Sequence, residues 1–356
     1  MREVFRHYTF SIVFMAACLA LAAWYGISTT GTLAGTLNVL WLVFVLSILE
    51  ISLSFDNAVV NASVLKDMDE VWQQRFLTWG IAIAVFGMRI VFPVAIVAIA
   101  AGIGPIAAAK LSLASPAEYE RLVSSAHIGI AGFGGAFLLM VGLKFFFDPD
   151  KDVHWIRWLE EQLAKFATLP AAEIAFLLLA LWGISALLPR DEALTFLIAG
   201  MLGIVAFIAV EGVNTLLEVS EETKAATASA VRSGLGGFLY LNVLDASFSF
   251  DGVIGAFALS NNMIIIALGL SIGAMFVRSM TIHLVRRGTL SEYRYLENGA
   301  FWAIIVLGGI MLASARYEIP DTVTGIIGAV LIGLSLWWSI SYNRRHGQAQ
   351  IASTVH

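Results

Sequence analysis

Charge is what this chain has least of. Asp, Glu, Lys and Arg together make up 13% of its 356 residues, against roughly 25% in soluble domains. Cysteine is almost absent. Cys18 stands alone, which excludes a disulfide framework and any thiolate metal site within one chain. None of the six histidines begins a His-Glu-x-x-His zinc-protease motif, and no large basic patch offers a nucleic-acid surface. A metal ion handled by this chain must be held by oxygen or imidazole.

Apolar residues fill the space that charge leaves. The chain is 59% hydrophobic with a mean hydropathy of +0.84, and apolar runs of membrane-spanning length recur from end to end. The fold class expected is all-α: a polytopic membrane protein of about ten transmembrane helices. They lie near 9–27, 37–65, 77–103, 126–147, 172–189, 193–213, 234–260, 262–285, 297–314 and 322–341. Arg2 and Arg6 precede the first run, and Ala20-Leu21-Ala22 resembles a signal-peptidase site. The run is long enough to cross and more spans follow, so it reads as an uncleaved span.

Fourteen Lys and Arg residues fall on one set of loops and four on the other. The positive-inside rule then puts both termini in the cytoplasm. The expected organisation is a first membrane half at 1–147, a cytoplasmic linker at 148–171, a second membrane half at 172–341 and a polar tail at 342–356. In the linker, Ile156, Leu159, Leu163 and Phe166 recur at helical spacing, with Lys151, Arg157, Glu160, Glu161 and Lys165 elsewhere. Trp155 and Trp158 suit the headgroup level, so an interfacial amphipathic helix is expected. Gly129, Gly132, Gly134 and Gly135 favour close helix packing, within the chain or in a homo-oligomer. Lys144 and Glu211, near span ends, read as snorkelling side chains, and His127 and His283 as satisfied interhelical histidines.

One phrase occurs twice. Glu50 is followed by Ser54, Phe55, Asp56 and Asn57; Asp245 is followed by Ser249, Phe250, Asp251 and Gly252. Each copy sits near the centre of an apolar span, and the next span carries a deep arginine, Arg89 or Arg278. A Glu-Tyr pair follows each, Glu118-Tyr119 or Glu292-Tyr293, and then another span. The repeats cover 37–147 and 234–314. The phrases lie on spans two and seven, an odd number apart, so the repeats are inverted, the architecture of alternating-access transporters with a site near the midplane.

Six deep charges at about 3 kcal/mol each would cost roughly 15–20 kcal/mol, more than the whole stability of a typical protein. They must be paired or hydrated. Four acids against two arginines leave a deficit that a divalent cation or two protons would fill. Glu, Asp, Ser and Asn offer oxygen alone, which suits Mn²⁺, Ca²⁺ or Mg²⁺. Glu50, Ser54, Asn57 and Asn61 share one helical stripe, whereas Asp56 lies roughly 120° away. Either the two acids serve different partners or the helix unwinds near Ser54-Phe55, giving broken central helices. Gly252 makes a break easier in the second copy, and Pro93 should free the carbonyl of Arg89 and kink its span.

The two phrases, each followed by a membrane arginine, resemble the signature motifs of the TerC/Alx family, named for tellurite resistance and grouped with the LysE exporters. The resemblance covers about 37–143 and 234–312. It implies a bacterial inner-membrane exporter of metal ions, often Mn²⁺, with Glu50, Asp56, Asn57, Asp245 and Asp251 at the ion site. The expected function is therefore export of a divalent cation in exchange for protons. Ser54 and Ser249 are further ligands, Asn61 a secondary polar group, and Arg89 and Arg278 charge partners. No cofactor and no enzymatic activity is expected. Transport of an organic solute or oxyanion on the same fold is the alternative. An intramembrane aspartic protease using Asp56 and Asp251 fits less well, because it leaves Glu50, Asp245 and both arginines without a role.

Overall fold

The computed structural model describes residues 2–148, 151–166, 169, 171–222, 234–257, 259–286, 292–317 and 319–354. Lys224, Arg232 and Arg287, three of the charges behind the orientation argument, lie outside them. Among the described residues the chain is helical throughout. Eight helical stretches are long and apolar enough to cross a bilayer. Their outward faces carry large apolar side chains such as Phe44, Ile48, Ile99, Val205, Ile208 and Val330, the surface that lipid requires. This is an all-α, multi-pass membrane protein.

The first expected span is α1 (Arg2–Thr30). The second is split into α2 (Leu33–Leu53) and α3 (Phe55–Leu65) by Ser54, whose φ of −101° and ψ of 16° lie outside the helical well. The interruption is one residue wide, and the Ser54 N–H still donates to the Glu50 carbonyl at 3.0 Å. The third span is α4 (Glu70–Ala82), a π-helical stretch at Ile83–Val91 and α5 (Phe92–Ala101). Pro93 explains the middle piece. Proline has no N–H to return to the preceding turn, so the ladder resets, with the Phe92 N–H reaching Gly87 five residues back. Arg89 lies in that widened stretch.

Two short helices follow that periodicity did not reveal, α6 (Pro105–Ala114) and α7 (Pro116–Ser125). Each opens on a proline, the residue suited to a first helical turn. Next come α8 (His127–Phe146), α9 (Arg157–Phe166), α10 (Ala172–Ser185) and α11 (Arg190–Glu222). The 14 residues of α10 reach about 21 Å, short of a hydrocarbon core of about 30 Å. Then come α12 (Gly234–Phe257), α13 (Met263–Arg286), α14 (Leu296–Ser314) and α15 (Asp321–Thr354). The second acidic phrase lies on α12, which runs unbroken for 24 residues. Gly252 therefore does not break its helix. The ten expected crossings correspond to the eight apolar stretches plus α12 and the short α10.

Residue pairs fix the relative directions of these helices. A Cβ on Gly269 would strike Leu46, and one on Gly273 would strike Glu50. Four residues forward on α13 match four forward on α2, so the two run parallel. Against α12 the order reverses: Glu50 faces Gly252, Asn61 bonds Asp245, and Met68 faces Gly237. The two acidic helices are antiparallel, so the repeats are inverted. Each acidic helix packs on the arginine-bearing helix of the other repeat, α2 on α13 and α12 on the π-helical stretch, while α8 packs on α14. Exchanging the repeats leaves this pattern unchanged.

The linker departs from its expected role in one respect. Glu160, assigned to the polar face, is buried completely. Its carboxylate accepts bonds from Lys151 Nζ at 2.6 Å, the Trp155 and Ile156 N–H groups, Asn298 Nδ2 at 2.9 Å and Trp302 Nε1 at 3.1 Å. The first turns of α14 thereby anchor the linker, while Trp158 and Phe166 remain exposed. Burial pushes the Glu160 carboxyl upward, but the bonds from Lys151 and the Ile156 N–H outweigh it and hold it below the ordinary carboxylate range. Glu160→Gln should cost about 3–5 kcal/mol, because it strands a buried ammonium, and should lower the melting temperature in detergent. A carboxyl whose titration is depressed by folding stabilises above its unfolded value, about 4.3 for Glu. That contribution fades as pH falls through the folded value. The difference between the two proteins should therefore be full at neutral pH and shrink in acid.

Candidate functional site

Five helical elements from two repeats meet at Glu50 and Asp245: α2, α3, the π-helical stretch, α12 and α13. Glu50 is 1% exposed and Asp245 8%, so neither carboxylate is solvated by bulk water. An arginine of its own repeat answers each. Arg89 Nη2 donates to Glu50 Oε1, and Arg278 Nη1 lies 3.7 Å from Asp245 Oδ2. The other repeat then contributes to each pair. Arg89 Nη1 donates to the Ser249 hydroxyl of α12, and Asn61 Nδ2 of α3 donates to Asp245 Oδ1 at 2.6 Å. Ser54, at the helix interruption, donates to Glu50 Oε1 at 2.8 Å. Arg278 has a second anchor on α4: its Nη2 donates to the Phe76 carbonyl and its guanidinium lies 3.6 Å over the Phe76 ring. Gly80 permits this, since a Cβ there would collide with that guanidinium.

Both acids, both arginines, Ser54, Asn57 and Asn61 line one internal cavity of about 30 Å³, room for one water or one small ion. Among the described residues, the Oδ1 atoms of Asn57 and Asn61 and the Nε atoms of Arg89 and Arg278 are buried there without a hydrogen-bond partner. Orphaned polar atoms at such a place ask for a ligand or water to satisfy them.

The structure separates Asp56 from this group. It is buried, its Oδ1 accepts from the Asn57 N–H at 2.9 Å, and its Oδ2 faces Gly328 of α15. It lines a second cavity of about 30 Å³ with Ser54, Phe248, Gly252 and Thr324. Of the two alternatives left open by helix geometry, different partners is the one realised. The one-residue break at Ser54 does not bring Asp56 round to Glu50. Asp251 lies on α12, and its side chain falls outside the described residues. Among the described residues no three acidic, histidine or cysteine side chains form a metal cluster, and Glu50 and Asp56 line different cavities.

The repeat departs from symmetry at Asn57 and Gly252, and the structure supplies the reason. Asn57 faces the Asp245 carboxylate. By exchange, residue 252 faces Glu50, where a Cβ would stand 3.0 Å from Oε2. The longer acid is opposite the residue without a side chain, and the shorter acid is opposite asparagine. The pairing conserves volume, which a packed interior demands.

Two other expectations resolve simply. His127 Nε2 lies 3.3 Å from the Ser314 carbonyl, an interhelical contact as read. Lys144 and Glu211 pair with each other at 3.2 Å.

A family model described as "Protein of unknown function (DUF475)" matches residues 55–346. The chain belongs to that family. The DUF475 match takes in Asp56, Arg89, Asp245 and Arg278 and opens five residues after Glu50. No curated protein and no solved structure matches the chain.

The volume argument has a direct test. Gly252→Asn should lower stability by about 1–3 kcal/mol through overpacking against Glu50. Adding Glu50→Asp to that variant should recover most of the loss, whereas Glu50→Asp alone should not stabilise. A double-mutant cycle on melting temperatures reads the coupling.

Proposed function

We propose that this protein is a transporter that carries a divalent cation, with Mn²⁺ or Ca²⁺ favoured, through the site between its inverted repeats. One observation carries the reading: the central acid of each repeat converges on one small cavity whose unpartnered amide oxygens face the same space. Carboxylate and amide oxygens are the donors that hard divalent cations prefer. The cavity admits an ion but not its hydration shell, and Mg²⁺ sheds water reluctantly, which tilts the choice toward the larger ions. The resemblance of the two acidic phrases to TerC/Alx motifs supports the same class, with a bacterial inner membrane and cytoplasmic termini.

Arginine and cation would occupy the carboxylates in turn. With Arg89 on Glu50 and Arg278 on Asp245, the site balances its own charge. Each arginine also has somewhere to go, the Ser249 hydroxyl for Arg89 and the Phe76 carbonyl and ring for Arg278. Proton exchange is the coupling proposed, because a carboxylate released by the ion is neutralised most cheaply by a proton.

A second reading rests on the two unpartnered guanidinium Nε atoms. They could receive an oxyanion or the carboxylate of an organic solute.

In proteoliposomes, Mn²⁺ uptake should be accompanied by opposite proton movement. Glu50→Gln and Asp245→Asn should each reduce the initial rate at least tenfold. Uptake of tellurite or an amino acid in the same vesicles, with no Mn²⁺ flux, would replace this reading with the second.

A further inference from the structure

A third cavity lies in register with the first two. It has a volume of about 180 Å³ and is lined by Leu65, Gln73, Ile282, Val285 and Arg286, among others. Leu65 is one turn beyond Asn61 on α3. On the parallel α13, Ile282 is one turn beyond Arg278 and Val285 one turn beyond Thr281. Asn61, Arg278 and Thr281 all line the site cavity. This third cavity thus begins about 6 Å further along the same two helices, four residues at 1.5 Å each.

Arg278, which lines the site cavity, stacks on Phe76 at 3.6 Å. The Phe76 ring is completely buried, braced edge-on by Phe238 at 6.2 Å. Gln73, one turn before Phe76 on α4, lines the outer cavity. In the other direction, Ser54 lines both the site cavity and the Asp56 cavity. The Asp56 cavity extends to Thr324, near the start of α15. A Cβ on Gly325 would touch Leu53 and one on Gly328 would touch Asp56, so α15 runs parallel to α3. Its start therefore lies at the opposite end from Leu65.

We propose that the three cavities form one route through the protein, and that Arg278 stacked on Phe76 is its closure at the α3 and α13 C-terminal end. The route rests on the transport reading only for what passes along it. Arg278 then has two tasks, to neutralise Asp245 and to seal the site from the Gln73 cavity. When a cation takes the Asp245 carboxylate, the displaced guanidinium also changes its hold on Phe76, so occupancy of the site and opening of this end are linked through one side chain.

The test uses the full chain in vesicles of known orientation, with Cys18 replaced by Ala and single cysteines added. The probe is a membrane-impermeant cationic methanethiosulfonate. Gln73→Cys should react only from the face bearing Arg286, and Thr324→Cys only from the opposite face. Thr281→Cys should react slowly from the Arg286 face, and at least tenfold faster once Phe76→Ala is added. Phe76→Leu, which keeps an apolar side chain, serves if the alanine variant does not assemble, and should give a smaller rise in the same direction. Equal Thr281→Cys rates with Phe76 intact and truncated, or reaction of Gln73→Cys and Thr324→Cys from the same face, would overturn the proposal. If this labelling holds while no cation is transported, the route stands and the cargo assignment falls.

Discussion

Two carboxylates buried in the middle of a helix bundle set the terms for everything around them. In a low-dielectric interior an isolated ionised carboxylate is prohibitively expensive, so Glu50 and Asp245 exist there only because guanidinium groups reach them. That requirement dictates the surroundings. Gly273 lies where a side chain would strike Glu50, Gly80 where one would strike Arg278, and Gly252 where one would crowd Oε2. The π-helical stretch carries Arg89 to its partner. Buried ion pairs are weak contributors to stability, so stability alone does not account for two of them at one place.

The inverted arrangement turns one local solution into a shared one. Each repeat supplies its own acid and arginine but borrows a polar group from the other, Ser249 for the first pair and Asn61 for the second. Neither pair is complete without both repeats. A change on one side of the interface is therefore felt on the other. On the transport reading proposed above, such coupling links the exposure of the site to one face with its closure to the other.

Much of this centre was legible in the residues. Doubling of the acidic phrase, its place on spans two and seven and the following arginines indicated inverted repeats and supplied both charge partners, without matching them to particular acids. Helical arithmetic placed Glu50, Ser54, Asn57 and Asn61 on one stripe and set Asp56 apart, as the two cavities show. Pro93 foretold a disturbed ladder. What stayed hidden depends on contacts distant in sequence. Glu160 fits the polar face of an amphipathic helix and is buried only because Asn298 and Trp302 arrive from α14. Gly252 reads as a helix breaker, and its real constraint, the length of Glu50, lies on another helix. Phe76 looks like any lipid-facing aromatic until Arg278 is found above it. The helices α6 and α7 are too short for periodicity to reveal.

The contact between α2 and α13 has a mechanical consequence. Gly269 and Gly273 let the two backbones approach so closely that the Val43 and Ser47 carbonyls lie against them. Sliding one helix past the other by a single residue would drive a side chain into that notch. The pair must therefore turn together as one rigid strut, although its members come from different repeats. Bending is left to the places where the helical ladder is already irregular, Ser54 and the stretch before Pro93. Those two points flank the buried carboxylates, which puts the pivots of the molecule beside its charges and not at its periphery.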